Sequence, residues 1–565
     1  MRIILLLGLL GITSVVYTQA PNIEWQKCLG GSDNEPVASN TPNYIQKTKD
    51  GGYILISDTR SGDGDVTNFF GGNAWGGDIW IVKLESTGDI QWQRSLGGGG
   101  DDYSYSVTET IDSNFIILGS TYSSDISGFH GQTDILLTKI DKNGTIIWNK
   151  CIGGMGSDFL WNFSFCQVQS PPKLIELSGI GYLIAFESLS SDGDIGINYG
   201  LKDICLMQID INGVILNTKI IGGSLNDIAF SMIKAQDNSG FLILGSSFSN
   251  NGDFIGNHGL GDIVIFKVDN FLNLLWSKCL GSSEVDFPGS LLEDDFGNLF
   301  ISGRSKEYLS DVSVYKLDAA GNVIFSKTFG GSGDDSGSDM GIQSCYPLLY
   351  KNDNNEFFIT TLTNSIDGDV SQNHGGYDTW IVKIDANGTI IWEKTFGGIY
   401  DEARISNLII YPNNEISFGL IVTHSSGNLV HSNFHEFPFD PNGNGWDIGI
   451  IKTNSLGNPL YYYCFGGAET ESISNLIWNE ITDELTFCGS TQSTGGDVIG
   501  NHGMSDIWVA KLNSALSTNE IMTFQKSKTL INVVDLMGRD ASPNYNQVLL
   551  YQFDDGSVVK KYISE

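Results

Sequence analysis

Residues 378–398 read Asp378-Thr-Trp-Ile-Val-Lys383-Ile-Asp-Ala-Asn-Gly388-Thr-Ile-Ile-Trp392-Glu-Lys-Thr-Phe-Gly397-Gly398, and variants of this stretch recur along most of the 565-residue chain. Three landmarks mark each copy. An Asp opens an apolar run: Asp78, Asp134, Asp203, Asp262, Asp311, Asp378, Asp447 and Asp506. A Lys follows five residues later (Lys83, Lys139, Lys267, Lys316, Lys383, Lys452 and Lys511), with Gln208 as the exception. A Gly, usually doubled, closes the copy at Gly30, Gly97, Gly153, Gly222, Gly281, Gly330, Gly397 and Gly466. The spacing averages about 62 residues, and a fixed period of this size sets the architecture before any local motif does.

Each copy holds four short strands. In the second they are expected at Tyr103–Thr110, Phe115–Tyr122, Ile135–Ile140 and Thr145–Cys151, with turns at Asp112-Ser-Asn114 and Asp141-Lys-Asn-Gly144. Runs such as Ile79-Trp-Ile-Val82 are apolar at nearly every position, as a strand sandwiched between two sheets requires. Four-stranded units of this length stack radially as propeller blades. The chain enters with Asn22-Ile-Glu-Trp25-Gln-Lys-Cys-Leu-Gly30, a fourth strand with no blade before it. It leaves the repeat after Asp506-Ile-Trp-Val-Ala-Lys511-Leu, a third strand with no fourth. The two pieces complete one blade. The fold class predicted is therefore all-β: an eight-bladed β-propeller over residues 21–514, closed by the N-terminal strand, with a small C-terminal β domain over 530–565 after a linker at 515–529. The recurring Trp25, Trp92, Trp148, Trp276 and Trp392, replaced by Phe325, Tyr461 and roughly Leu216 elsewhere, are expected to wedge between blades as core.

The net charge of −35 and the lack of a basic patch exclude nucleic acid as a partner. Arg2, the apolar run Ile3 to Leu10 and Thr18-Gln-Ala20 read as a secretory signal over residues 1–20. No later segment has the length of uninterrupted apolar sequence that a transmembrane helix needs. The cysteine count is even, yet Cys28, Cys151, Cys279 and Cys464 hold one repeat position, which suits small buried side chains better than disulfides.

Antiparallel strands alternate in direction, so the first and third strands of every blade start on one face. The third starts at the Asp set above, and the first near a second acidic set: Glu35, Asp102, Asp158, Asp227, Asp286, Asp335, Glu402 and Glu471. Both sets are expected to form an acidic rim there. Small polar residues four positions further on (Ser39, Ser106, Asn162, Ser231, Ser290, Asp339, Ser406 and Asn475) are expected to line a narrow axial channel. All seven His, at 130, 258, 374, 424, 431, 435 and 502, fall in the loops between second and third strands on the same face. Four obey Asp-x4-His-x3-Asp, with His130, His258, His374 and His502, and Tyr199 takes the His place in the third blade. Two carboxylates and an imidazole can ligate a metal. Tyr in the same slot favours a structural loop instead, so these five residues stand as candidates for a ligand-binding face. In the seventh blade Asp440, Asn442, Asn444 and Asp447 resemble the first half of a calcium loop, and calcium is the only cofactor the sequence suggests. The Glu expected at position twelve is replaced by Ile451, and an ordinary Asx-rich turn reads the same residues equally.

No catalytic constellation stands out: there is no Gly-x-Ser-x-Gly, no His-Glu-x-x-His and no Gly-Lys-Ser/Thr. Asp385-Ala-Asn-Gly388…Trp392 resembles the Trp-docking repeat of the eight-bladed quinoprotein dehydrogenases, but the vicinal Cys pair of the methanol-dehydrogenase group is missing. Sialidase Asp boxes place Trp closer to Asp, and Arg60, Arg94, Arg304 and Arg404 occupy unmatched positions. After the ring, Ile531-Asn-Val-Val-Asp535-Leu-Met-Gly538-Arg539 and Val548-Leu-Leu-Tyr-Gln-Phe-Asp-Asp555-Gly556-Ser-Val-Val-Lys560 resemble the C-terminal sorting domain of Bacteroidota type IX secretion cargo. The ring itself resembles the repeat-bearing surface propellers of that phylum. The resemblance implies export through the type IX machinery, with Asp535, Gly538, Arg539, Asp555, Gly556 and Lys560 in the sorting signal, and a secreted or outer-membrane-surface location. The expectation is a non-enzymatic binding or adhesion module for an extracellular glycan or protein. The alternative is an extracellular enzyme, either a quinoprotein-like oxidoreductase or a glycan-cleaving hydrolase.

Overall fold

The computed structural model describes residues 21–35, 44–71, 76–159, 173–304, 310–337, 346–423 and 445–513, together with the strands at 530–534, 547–553 and 558–563. It divides into two compact units, the ring within Tyr17–Leu516 and a smaller unit that contains the last three strands. Those strands, Leu530–Val534, Gln547–Phe553 and Val558–Ile563, form one antiparallel sheet.

Eight antiparallel sheets make the ring. Seven are built from consecutive strands, such as Asp102–Glu109, Phe115–Thr121, Asp134–Ile140 and Ile146–Ile152 in blade 2, within a residue or so of expectation. The eighth joins Glu471–Asn479, Glu484–Thr491 and Asp506–Leu512 to the N-terminal Ile23–Leu29. Cys28 lies opposite Trp508 and Lys27 opposite Val509, so the first strand described closes the circle and leaves no open blade.

Alternation places the core at the junctions. In blade 1, Tyr53 and Leu55 pack with Cys488 and Val509 of blade 8, whereas Ile54 and Ile56 pack with Val107 and Ile117 of blade 2. Eight such clusters occur, each drawn from two neighbouring blades. Third strands have both faces covered: every residue of Asp78–Leu84 and of Asp378–Ile384 is buried.

The repeated tryptophans are half-buried on the outer strand, and Trp25, Trp92, Trp148, Trp276 and Trp392 each pack against the hydrophobic cluster of a blade junction, as expected. Each lies on the turn between third and fourth strands of the next blade. A side chain at Gly144 would strike Trp92, at Gly213 Trp148, at Gly321 Trp276 and at Gly457 Trp392. The indole N–H of Trp92, Trp148 and Trp392 donates to a carbonyl of that turn, at Lys142, Ile211 and Ser455. Those glycines have φ of +78° to +84° where the turn requires it, so Gly serves both the turn and the ring above it. Strand register puts Asn217, not Leu216, in the Trp place of blade 3, and its amide donates to Phe271 O.

The recurring Lys answers to the turn between first and second strands of its own blade. Lys83 pairs with Asp50 (2.9 Å), Lys139 with Asp112 (2.8 Å), Lys383 with Glu356 (2.7 Å), Lys452 with Glu415 (3.1 Å) and Lys511 with Glu484 (3.0 Å). In blade 3 both partners are absent: Gln208 replaces Lys, and the turn reads Leu177-Ser-Gly-Ile180. The two losses occur together because a buried ammonium without its carboxylate would be uncompensated.

Candidate functional site

The face where first and third strands begin is not an open acidic rim. All eight acids of the first-strand set are fully buried (0% exposed), and so are seven of the eight third-strand Asp, Asp311 being half-buried. They meet in pairs across each blade junction, at one constant spacing from Asp78 to Asp102 and from Asp447 to Glu471 alike. The backbone N–H of the second acid donates to the carbonyl just before the first, at 2.7–2.8 Å, in all eight junctions. The repeated Gly sits between the two carboxylates. A methyl group on Gly397 would overlap Asp378 Oδ1 and Glu402 Oε2, and one on Gly30 would press on Glu35 Oε2 and Asp506 Oδ1.

The charge of the second acid is met by donors that the sequence scatters over three segments. Glu471 Oε2 accepts from Gly467 N (2.9 Å), and Oε1 from Thr491 Oγ1 (2.7 Å) and Ser493 N (3.2 Å). Asp227 accepts from Gly223 N (2.7 Å), Ser247 Oγ (2.5 Å) and Ser249 Oγ (2.9 Å). Glu35, Asp158 and Asp335 repeat the pattern with Thr59, Ser188 and Thr363. Blade 7 breaks it. In blade 7 Val422 stands where the others have Ser or Thr, and Glu402 Oε1 is buried with no hydrogen-bond partner. Burial, opposed by the Gly398 N–H and reinforced by neighbouring Asp378, pushes the Glu402 carboxyl up to about 9.

The four Asp-x4-His-x3-Asp triples do not converge as metal sites, because their members serve two different junctions. The first acid turns back to its own blade's leading glycines: Asp125 accepts from Gly99 N (2.9 Å), Asp253 from Gly222 N (3.1 Å) and Asp369 from Gly330 N (3.2 Å). The His and the last Asp form a closed loop beside the next junction. His130, His258, His374 and His502 each donate the backbone N–H to Asp134, Asp262, Asp378 and Asp506, and each ring approaches the same carboxylate through Nδ1 at 2.6–2.9 Å. Tyr199 keeps the backbone bond, to Asp203 at 2.5 Å, and swings its ring outward, 58% exposed. That explains how Tyr replaces His: the anchor is the backbone N–H. Among the described residues, no group of three or more His, Cys, Asp or Glu side chains could hold a metal ion.

The His side chains are exposed to different extents, 33% for His130, 52% for His258, 10% for His374 and 39% for His502, and His130 Nε2 lies 4.0 Å from Asp194 of the next blade. The loop around them carries exposed apolar side chains at repeat positions. Ile255 and Ile499 stand three residues before the His, Ile197 two before Tyr199, and Leu201, Leu260 and Met504 two after the His or Tyr. The tip glycine that follows each His or Tyr packs on the next blade's leading loop, Gly200 on Gly223–Ser224 and Gly131 on Gly154–Met155. Exposed Met155 and Leu225 of those loops therefore adjoin the tips of blades 2 and 3.

Among the described small polar residues of the first strands, Ser106 and Ser290 are half-buried and the others are buried. Asn475 bonds to Ile45 O (3.0 Å), and Ser290 accepts from Leu349 N (3.1 Å), each reaching the next blade's first strand; Ser231 and Ser406 are buried. A β-bulge in the first strand, as between Ile473 and Asn475, turns that side chain sideways towards its neighbour. Ser39, Asn162 and Asp339 lie outside the described residues, as do His424, His431, His435, Asp440, Asn442, Asn444, Asp535, Gly538, Arg539, Asp555 and Gly556. Asp447 starts the third strand of blade 7 and is the buried partner of Glu471; Lys560 falls within the last strand. Cys28, Cys151, Cys205, Cys279, Cys464 and Cys488 are free and buried, with the Cys28 and Cys151 thiols pushed up to about 12 by burial and by neighbouring carboxylates.

No protein-family model matches the chain. The regulatory protein FlaEY of Caulobacter vibrioides is 24% identical over 489 residues, covering 76% of this chain and 48% of that protein, so the chain spans about half the length of this relative. Among solved structures, a europium-containing methanol dehydrogenase is similar with a TM-score of 0.45 and 9% identity, over 87% of this chain and 93% of the other. The β-propeller domain of the trilobed protease from Pyrococcus furiosus is similar with a TM-score of 0.33 and 10% identity, over 69% and 92%. These likenesses concern the fold alone. The chain itself is an eight-bladed β-propeller made of one internal repeat, closed by its N-terminal strand.

Proposed function

We propose that this propeller is a secreted or cell-surface binding module that captures an extracellular glycan or protein on its His-bearing face. The signal at residues 1–20 and the type IX sorting tail at 530–565 would export it. The observation that carries the reading is the repeated presentation of anchored imidazoles and Tyr199 beside exposed Ile197, Leu201, Ile255 and Leu260 on adjoining loop tips. Imidazoles held at Nδ1 by a buried carboxylate lose little freedom on binding, and the exposed Tyr199 ring and aliphatic groups supply the contact area. The test is a glycan and protein array probed with the wild type and with a Tyr199→Ala/His258→Ala variant. Hits that the variant loses, at unchanged melting temperature, support the reading. Hits that persist, or turnover of a polysaccharide panel, overturn it in favour of another face or of an enzyme.

A further inference from the structure

The eighth blade has no turn between its third and fourth strands, because those strands come from opposite ends of the ring. Around the rest of the circle that turn lies on the aromatic residue of the preceding blade, except in blade 4, where it meets Asn217. Blade 6 is typical: Asp385 N donates to Thr389 O (2.9 Å), Thr389 N returns to Asp385 Oδ1 (2.8 Å), and the Gly388 between them lies on Phe325. At the seam the same two bonds are made by separate segments. Asn513 N donates to Asn22 O (3.0 Å), and Asn22 N donates to Asn513 Oδ1 (2.9 Å). Asn513 thus plays the part of Asp385, Asn22 that of Thr389, and Pro21 takes the place of Gly388. The aromatic residue beneath is Tyr461, opposite Lys452 just as Trp392 is opposite Lys383.

A cut turn over a ring smaller than Trp leaves a cavity of about 110 Å³. It is lined by Tyr461, Tyr411, Lys452, Glu415, Asp483 and Pro21, among others. This volume holds a group of roughly five to seven heavy atoms at interior packing density. Lys452 is already engaged, with Glu415 at 3.1 Å and over the Tyr411 ring at 4.2 Å. Asp483 is exposed, and one of its oxygens accepts from Trp478 Nε1 (2.9 Å). Two carboxylates against one ammonium leave the cavity anionic, with an aromatic floor.

We propose that this seam cavity is a binding site for a guanidinium group, the head of an arginine side chain. A planar cation that stacks on tyrosine and bonds a carboxylate through two N–H groups fits the floor, the charge and the volume together. The site lies on the turn side of the ring, away from the His loops, so it is independent of the function proposed above. The test is calorimetric titration of methylguanidinium into the full chain at low salt, with methylammonium as a second probe. Saturable binding of methylguanidinium is expected, weaker for methylammonium, and weakened about tenfold by Asp483→Asn. Tyr461→Trp installs the residue of the other junctions, fills the space and should abolish binding without lowering the melting temperature. An absence of saturable binding, equal affinity for the two cations, or unchanged affinity in Asp483→Asn overturns the proposal. Asp483 is exposed, so its substitution tests the site even if Tyr461→Trp disturbs folding.

Discussion

Glu402→Gln is expected to stabilise the ring at neutral pH, which is unusual for a fully buried, repeated carboxylate. Glu402 has one oxygen on Gly398 N (2.9 Å) and the other without a partner, next to Asp378. Its carboxyl is pushed from 4.5 up to about 9, so the folded chain holds a proton that the unfolded chain gives up. The folded state therefore binds more protons between pH 4.5 and 9, and the contribution of this group to stability falls as pH rises through that window. At pH 7 the uptake costs about 3 kcal/mol, and each pH unit between roughly 5 and 8 adds ~1.4 kcal/mol. Gln is neutral in both states and removes the cost. For a ring of this size about 1 kcal/mol moves the melting temperature by roughly 1 °C, so a rise of about 3 °C at pH 7 is expected, with no gain at pH 4.5. Glu471→Gln is the control, because both its oxygens are filled by Gly467, Thr491 and Ser493. It should lower the melting temperature. Calorimetry of both variants at pH 4.5, 7 and 8.5 decides. If Glu402→Gln lowers stability at pH 7 as Glu471→Gln does, or keeps the wild-type pH slope, the reasoning about the missing donor fails.

Val422→Thr restores the hydroxyl that most other blades place at this point, and should add about 1 kcal/mol at pH 8 by giving Glu402 Oε1 a donor; an unchanged urea midpoint would count against it. Gly397→Ala drives a methyl group into Asp378 and Glu402, and a loss of at least ~3 kcal/mol, or failure to fold, is expected from expression and urea unfolding. Removing Glu356 alone strands the buried Lys383 and should cost about 3 kcal/mol, whereas the pair Lys139→Gln/Asp112→Gly copies blade 3 and should cost under ~1 kcal/mol; a double-mutant cycle measures both. Trp392→Ala uncovers Gly457 and loses the bond to Ser455 O, for about 2 kcal/mol by the same assay.

The ring was readable because its signals are local and periodic: apolar runs such as Ile79 to Val82, Asx-Gly turns, and two incomplete ends that fit one another. The site was less readable because burial of a carboxylate depends on partners from distant segments. Asp227 is a solvent-facing loop residue by its own neighbourhood. It is buried because Ser247 and Ser249, a blade-length strand away, deliver hydroxyls to it. Those Ser/Thr-x-Ser pairs recur in the sequence and were the available signal. The His triples misled for a related reason: spacing on one loop suggested one site, whereas the loop bridges two junctions. The half-buried state of the Trp set follows from its place on the outer strand, which composition does not reveal.

The seam also decides how the ring bears load. The strand Asp506–Leu512 runs from the His face to the opposite face, and it is hydrogen-bonded along its length to Glu484–Thr491 on one side and Ile23–Leu29 on the other. A pull on the chain beyond residue 513, resisted by something gripped at the His loops, acts along that strand. Its ladder bonds are then sheared together rather than unzipped singly, and rupture must break two ladders at once. A molecule tethered through this end would tear at its weakest ligand contact before its own circle opened.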